Sequence, residues 1–195
     1  LEAPPGAGKT TRVPLDLLTA PWLADQKILL LEPRRLAARA AARRMASLRG
    51  EAEGDTVGYR TRLETRISAG SRIEVVTEGI LTRLLQADPA LAGYGLVIFD
   101  EYHERSLQAD LGLAFAVQTQ ALLRPELRLL VMSATLDGAA VAALLGDAPR
   151  VRSEGRSFPV ELRYLPGEAP LEARLDAAIR RALAETTGSL LVFLP

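Results

Sequence analysis

Short apolar runs alternate along the chain with stretches in which apolar residues recur at helical spacing. The predicted strands span residues 27–32, 73–77, 96–100, 128–133, 160–164 and 189–194. The predicted helices span residues 9–18, 36–48, 79–86, 107–123, 139–145 and 171–185. Several of the strands are nearly continuous in apolar residues, as expected when helices cover both faces of a sheet. This alternation predicts an α/β fold with a mostly parallel sheet and helices on both faces.

Glycine and proline cluster between residues 154 and 171, which is typical of a linker. The 195 residues are enough for one domain with some chain to spare. We therefore expect a first domain over residues 1–155, and a linker with the first elements of a second domain over residues 156–195. Almost no strand precedes the first loop, and the chain stops directly after the apolar run 190–194. We expect a fragment of a longer protein, with the first strand and the second domain truncated.

The composition excludes several classes of protein. With 48% hydrophobic and 25% charged residues, the chain has the composition of a globular domain and not of a disordered one. No apolar run approaches the roughly 18 residues that a membrane span needs, so no membrane partner is expected. The absence of cysteine excludes disulfides and thiolate metal sites. Together with the missing signal peptide and membrane span, it favours the cytoplasm.

The segment APPGAGKTT at residues 3–11 has the pattern of a phosphate-binding loop, with Ala3 in place of the usual first glycine. Glycines allow a backbone conformation in which successive N–H groups form a concave anion site, and the following helix adds its positive end. Lys9 would reach the β- and γ-phosphates, and the Thr10 hydroxyl would bind Mg²⁺. The residues assigned to the nucleotide are Gly6, Ala7, Gly8, Lys9, Thr10 and Thr11. The alternative is a glycine-rich turn that arose by chance.

An apolar strand ends in two carboxylates at Asp100 and Glu101. Such a strand delivers them to the carboxyl edge of the sheet, where open α/β folds bind ligands. Asp100 would hold Mg²⁺, and Glu101 would orient or deprotonate the water that attacks the γ-phosphate. Solvated carboxylates at a strand end are the alternative. His103 is the only histidine, and by itself it would be read as an ordinary hydrogen-bonded side chain.

The segment DEYHERSL at residues 100–107 resembles the DEAH-box signature of superfamily 2 helicases, with Tyr102 at its third position. Further blocks resemble that family in order and spacing: EPRRLAA at 32–38, VGYRTR at 57–62, TEG at 77–79, SATL at 133–136 and GRSFPV at 155–160. Within the family, the loop APPGAGKTT followed by VPL looks most like the bacterial HrpB type of ATP-dependent RNA helicase.

This resemblance implies a RecA-like domain that uses ATP, or another NTP, with Mg²⁺. It implies that Lys9 and Glu101 act in hydrolysis. It also implies that His103, Ser133 and Thr135 couple hydrolysis to movement of the nucleic acid strand. The residues that it places on the nucleic-acid face are Arg34, Arg35, Tyr59, Arg60, Arg62, Thr77, Glu78 and Gly79. A second RecA-like domain in cis is the implied partner, and without its arginine fingers this chain should be only weakly active.

Arginines dominate the segment that follows the first predicted strand. Residues 33–72 hold ten arginines against four acids, although the whole chain has 24 basic and 24 acidic residues. On a helical wheel of about 100° per residue, Arg35, Arg39 and Arg43 form one stripe, which an ordinary solvated helix face would also explain. Arg44 falls within the predicted apolar face, where a guanidinium needs a partner. That partner is either an acid on a neighbouring element or, as the resemblance implies, the nucleotide base.

Three functions are compatible with these patterns. The leading one is the first motor domain of a DEAH-box RNA helicase, which hydrolyses ATP and moves single-stranded RNA or another nucleic acid. With only 5% aromatic residues, its sequence preference should be weak. The alternatives are a P-loop NTPase switch that acts on a protein partner, and a non-catalytic binding module. The PRR and TEG blocks favour the nucleic-acid hypothesis over the switch.

Overall fold

In the computed structural model, the described residues are 1–134, 138–154, 159–165, 167 and 169–194. The chain forms two compact units, Leu1–Arg156 and Ser157–Pro195. The predicted identities of the two domains, over residues 1–155 and 156–195, stay predictions.

The first unit is built on a six-stranded sheet with the strand order β3-β2-β4-β1-β5-β6. The strands are β1 (Lys27–Glu32), β2 (Val57–Arg60), β3 (Thr65–Arg66), β4 (Ile73–Thr77), β5 (Tyr94–Phe99) and β6 (Arg128–Val131). Every pairing is parallel except that of β2 with β3. The predicted mostly parallel α/β fold is therefore confirmed.

Helices cover both faces of this sheet. They are α1 (Lys9–Leu17), α2 (Arg35–Arg49), α3 (Glu78–Ala87), α4 (Leu107–Leu122) and α5 (Gly138–Leu144), with a short 3₁₀ helix at Tyr102–Glu104. Alternate residues of β1 enter opposite cores: Leu29 packs with α3 and α4, whereas Leu30 packs with α2. Because both faces are covered, five of the six β1 positions are buried, as a run of the type KILLLE predicts.

Two predicted strands are wrong, and two observed strands were not predicted. Residues 160–164 and 189–194 form no strand, and most of their apolar side chains are exposed. A strand exists only where a neighbour pairs with it, and no strand is found among the described residues of the second unit. Conversely, β2 is short and contains Gly58, where a side chain would collide with the Arg66 carbonyl oxygen of β3. Its pairing with β4 and β3, and not its own pattern, makes it a strand.

The first residues of the chain extend the sheet beyond β6. Glu2 lies between Ser133 on one side and Arg152 on the other, in parallel with both. The Glu2 N–H donates to the Val151 carbonyl, and the Ala3 N–H donates to the Ser133 carbonyl, at 2.8 and 3.1 Å. The segment that leads into the glycine-rich loop is therefore held from both sides.

The second unit contains one helix, α6 (Leu171–Glu185), at the predicted residues. Its surface carries ion pairs one turn apart, between Arg180 and Asp176 and between Arg181 and Glu185. No residue of this helix is buried. In the part of the chain that the structure describes, every helix is too short or too polar to span a bilayer.

Candidate nucleotide and nucleic-acid site

The glycine-rich loop has the backbone conformation that its sequence predicts. Gly6 and Gly8 have φ angles of 78° and 84°, in the left-handed region where glycine is favoured. Gly8 directly precedes α1, and the Arg12 N–H donates to its carbonyl at 2.7 Å. The loop therefore ends at a helix N-terminus, an arrangement that favours anions.

Two contacts join this loop to the acidic end of β5. The Lys9 Nζ atom lies 3.2 Å from Glu101 Oε1, and its side chain is only 4% exposed. The Thr10 hydroxyl donates a short hydrogen bond to the Asp100 carboxylate. Asp100 in turn accepts from the Glu101 N–H at 2.8 Å. The structure thus brings together the four residues for which the sequence predicted phosphate, metal and water chemistry.

Glu32, at the end of β1, is a further acidic residue of this site that sequence reasoning did not single out. It is 3% exposed, and its carboxyl group lies next to that of Asp100. Burial, together with the Asp100 carboxylate, raises the pKa of Glu32 to about 8. Burial also raises the pKa of Asp100, against the opposing effect of the Thr10 hydrogen bond. The only sequence signal was the position of Glu32 at the head of the EPRR block.

The oxygen atoms at this edge fit a magnesium ion that binds together with a nucleotide. Among residues 1–134, 138–154 and the described part of the second unit, no three His, Cys, Asp or Glu side chains are grouped to hold a metal. Nucleotide-bound Mg²⁺ needs less, because it keeps several waters and uses one or two protein oxygens with the phosphates. The adjoining Thr10 hydroxyl and Asp100 carboxylate are oxygens of that kind.

Of the predicted coupling residues, His103 lies beside Glu101. Glu101 has φ 49°, a left-handed conformation that is strained for a residue with a side chain. His103 Nδ1 lies 3.3 Å from Glu101 Oε2. Ser133 is fully buried beside the first residues of the chain. Thr135 lies outside the described residues.

Arg44 corrects one prediction. The sequence placed it in the middle of the apolar face of α2, but the buried face consists of Ala38, Ala41, Ala42, Met45 and Ala46. Arg44 is exposed and forms no ion pair with any residue that the structure describes. It lines a cavity of about 430 Å³ together with Thr10, Thr11, Glu32 and Glu101. A contact between Arg44 and the nucleotide stays a prediction. It now rests on the position of Arg44 in this cavity and not on burial of its side chain.

The predicted nucleic-acid residues follow the carboxyl ends of neighbouring parallel strands. Arg34 and Arg35 follow β1 and are exposed, and Arg34 pairs with Glu104 at 2.7 Å. Thr77 ends β4, and Glu78 and Gly79 begin α3. These residues share the sheet edge with the acidic end of β5.

The Tyr59 ring lies in the core, so the predicted place of residues 59, 60 and 62 on the nucleic-acid face does not extend to the Tyr59 side chain. Its ring is 1% exposed and packs in the core, with the Arg39 guanidinium 5.8 Å from the ring centre. Residue 59 pairs with Val75 in the interior of the sheet, which buries it. Of the same block, Arg62 is exposed, and Arg60 is engaged by a buried acid.

That acid is Glu74 of β4, which is 1% exposed. Its carboxylate accepts from Lys27 at 2.9 Å, from Arg60 at 3.1 Å and from the Tyr94 hydroxyl at 2.9 Å. The buried Arg60 Nε has no hydrogen-bond partner among the described residues. Burial and the Glu74 carboxylate raise the pKa of Tyr94. The cluster ties four strands together and holds Arg60 in place.

The arginine stripe of α2 is largely paired with acids. Arg39 lies 3.3 Å from Glu64, and Arg43 lies 2.5 Å from Glu53. These contacts favour the solvated-face interpretation for Arg39 and Arg43.

The chain was compared with known proteins. The family model described as DEAD/DEAH box helicase matches residues 1–144. The chain is 57% identical to the ATP-dependent RNA helicase HrpB of Escherichia coli, over 100% of this chain and 24% of that protein. It is 37% identical to the pre-mRNA-splicing factor ATP-dependent RNA helicase prp22 of Schizosaccharomyces pombe, over 97% of this chain and 16% of that protein. The crystal structure of the Escherichia coli DEAH/RHA helicase HrpB matches with a TM-score of 0.85 and 55% identity, over 100% of this chain and 25% of that one. The chain thus spans a quarter or less of the length of these relatives.

Proposed function

Because this chain belongs to the DEAD/DEAH box helicase family, we propose that it is the nucleotide-binding first motor domain of an ATP-dependent RNA helicase. It binds ATP or another NTP with Mg²⁺, and it hydrolyses the nucleotide when a second RecA-like domain completes the site. Single-stranded RNA is the proposed macromolecular partner. A cytoplasmic location stays a prediction from the sequence.

One observation carries this proposal: the glycine-rich loop and the end of β5 meet through the pairs Lys9–Glu101 and Thr10–Asp100. The Thr10 and Asp100 side chains come from positions 90 residues apart. A glycine-rich turn that had arisen by chance would not be expected to contact two carboxylates at the end of a central strand. The convergence supports a built phosphate and metal site.

The residues have distinct tasks in the proposed reaction. Lys9 is a compact cation on a flexible stem, and it leaves Glu101 to bind the β- and γ-phosphates. Glu101 then accepts the proton of the attacking water. Thr10 and Asp100 would hold Mg²⁺, which when bound neutralises charge that develops on the phosphates.

RNA binding is proposed at the same sheet edge. Arg34, Arg35 and the TEG block would contact the backbone of the strand, in a way that depends on salt and little on sequence. Arg34 is at present paired with Glu104, and the side chain of Arg34 is 72% exposed. It can therefore exchange that acid for a phosphate at small cost.

ATP hydrolysis by the full-length protein, measured with and without poly(U), tests the proposal. We expect Lys9→Ala and Lys9→Arg both to lose turnover, because the task needs a compact ammonium and not only a positive charge. Glu101→Gln should lose at least about a hundredfold in kcat while it still binds ATP, because it removes only the base. Glu126→Gln is the matched control, since Glu126 is exposed and lies just before β6, at the amino ends of the parallel strands.

The outcome decides between the hypotheses. Turnover in Lys9→Ala close to that of the wild type would exclude the proposed site. Turnover that needs Lys9 but ignores poly(U) would favour the NTPase switch that acts on a protein partner.

A further inference from the structure

We infer that Ser106 is a positioning residue that couples the nucleotide site to the RNA-binding edge through its hydrogen bond with Glu78. The inference rests on the proposed function, because it concerns how RNA stimulates hydrolysis. Ser106 lies in the DEYHERSL segment at residues 100–107, and Glu78 lies in the TEG block. The hydrogen bond joins the two blocks directly.

The Ser106 hydroxyl is both a hydrogen-bond donor and an acceptor. It donates to Glu78 Oε2 at 2.6 Å and accepts from the Ala109 N–H at 2.9 Å. The second bond makes Ser106 the N-cap of α4, a position where serine is common. The first bond has no capping role, since it leaves α4 and ends on α3. A residue needed only as a cap would not have to reach Glu78.

The segment from Glu101 to Ser106 is tied to the first turn of α4. The Tyr102 hydroxyl donates to Asp110 Oδ1 at 2.7 Å, and Arg105 donates to Asp110 Oδ2 at 2.8 Å. The Arg105 guanidinium also lies 5.5 Å from the centre of the Tyr102 ring, which is 5% exposed. Because these contacts leave the segment little freedom, a displacement of Glu101 carries Ser106 with it.

The far end of the link is the start of α3. Glu78 is the first residue of that helix and directly follows Thr77, the last residue of β4. Next to it, Gly79 is exposed and has no atom within 4 Å of the place where a side chain would begin. A nucleic acid strand can therefore approach this turn. Its binding would shift the start of α3, and with it the adjacent Glu78.

Coupling between two ligands is reciprocal in binding free energy. If Ser106 transmits it, weakening the link reduces the effect of RNA on nucleotide affinity and, by the same factor, the effect of nucleotide on RNA affinity. The stimulation of hydrolysis by RNA should fall too, by a factor that need not be the same. Substitution of a residue that served only the stability of α4 would change neither the stimulation of hydrolysis by RNA nor the effect of nucleotide on RNA affinity.

The test uses the full-length protein and matched variants of one position. Ser106→Asn keeps the cap and offers an N–H to Glu78, whereas Ser106→Asp keeps the cap but sets a carboxylate against Glu78. The double variant Ser106→Asp with Glu78→Gln restores a donor opposite the new carboxylate. The readouts are the ratio of poly(U)-stimulated to unstimulated kcat, and the change in poly(U) Kd on addition of a non-hydrolysable ATP analogue.

We expect Ser106→Asp to retain unstimulated hydrolysis and to lose about fivefold or more in both ratios. Ser106→Asn should keep both ratios of the wild type, and the double variant should recover both ratios relative to Ser106→Asp. If the wild type itself is not stimulated by poly(U), the proposed function fails before this inference is reached. If the wild type is stimulated and Ser106→Asp is stimulated equally, the inference is overturned.

Loss of stimulation in Ser106→Asn, Ser106→Asp and the double variant alike would also overturn the inference. Stimulation would then depend on the start of α4 and not on the hydrogen bond with Glu78. Thermal unfolding shows whether Ser106→Asp is folded. Should it not fold, Ser106→Ala and Ser106→Asn decide the question, and equal stimulation of those two contradicts the inference.

Discussion

Glu74→Gln removes the charge from a buried carboxylate that holds two cations and a phenol. Hydrogen bonds to charged groups contribute about 1.5–3 kcal/mol each, and breaking a buried ion pair costs about 3–5 kcal/mol. Lys27 and Arg60 are 33% and 29% exposed, so both cations can recover part of their hydration. The amide oxygen of Gln still accepts one hydrogen bond. We therefore expect the free energy of unfolding of the first unit to fall by about 3 kcal/mol, at the low end of that range.

The chain supplies its own probe for this measurement. Trp22 is the only tryptophan, it lies in the first unit, and the Arg128 guanidinium sits 4.5 Å from its ring centre. Its fluorescence during urea titration reports on the first unit alone. With a urea dependence of about 2 kcal/mol per molar, the midpoint should fall by about 1.5 M.

Glu64→Gln is the matched control for this experiment. It makes the same chemical change in an exposed pair, where Glu64 and Arg39 are both 41% exposed. Such surface pairs contribute about 1 kcal/mol or less. Equal midpoints for the two variants would refute the reasoning, because burial would then add nothing to the strength of the Glu74 cluster.

Three further predictions concern single side chains. Tyr94→Phe should cost about 2 kcal/mol of unfolding free energy near neutral pH through the lost bond to Glu74. Because the folded protein raises the pKa of Tyr94, the unfolded chain ionises first; wild-type stability should therefore fall above about pH 10, and the difference from Tyr94→Phe in urea titrations should shrink there. Gly8→Ala places a side chain at φ 84° and 3.3 Å from Arg12 Cγ, so it should cost about 1–2 kcal/mol in the Trp22 titration, whereas a cost near zero would contradict the left-handed assignment. Arg44→Ala should weaken ATP and GTP binding to the full-length protein alike, by about fivefold in competition titrations, and should leave inorganic triphosphate unaffected; equal losses for all three would indicate a phosphate contact instead.

The parts of the fold that could be predicted are those in which local pattern and tertiary context agree. Strands β1 and β4 appear at their predicted residues because apolar runs of that length fit a sheet covered on both faces. Strand β2 was missed because four residues with a central glycine carry no pattern of their own. The orientation of α2 was misjudged because alanines lie all round the helix: Ala38 and Ala42 are fully buried, whereas the larger Leu36 is 79% exposed.

The same distinction applies to the site. Lys9, Thr10, Asp100 and Glu101 could be predicted because their chemistry is written in short contiguous segments. The burial of Glu32 beside Asp100 could not, since it depends on β1 and β5 being neighbours in the sheet. The burial of Tyr59 could not be predicted either, because only the position of β2 beside β4 decides which of its side chains face the core.

The first residues of the chain hold the last segment of the first unit. The Ser153 N–H donates to the Glu2 carbonyl, and the Glu2 N–H donates to the Val151 carbonyl, both at 2.8 Å. A pull on the backbone at Ser153 therefore loads these hydrogen bonds, and the load reaches the segment that leads into the phosphate loop. A force on the end of the first unit is therefore passed to the nucleotide loop, although the two lie at opposite ends of the unit's sequence.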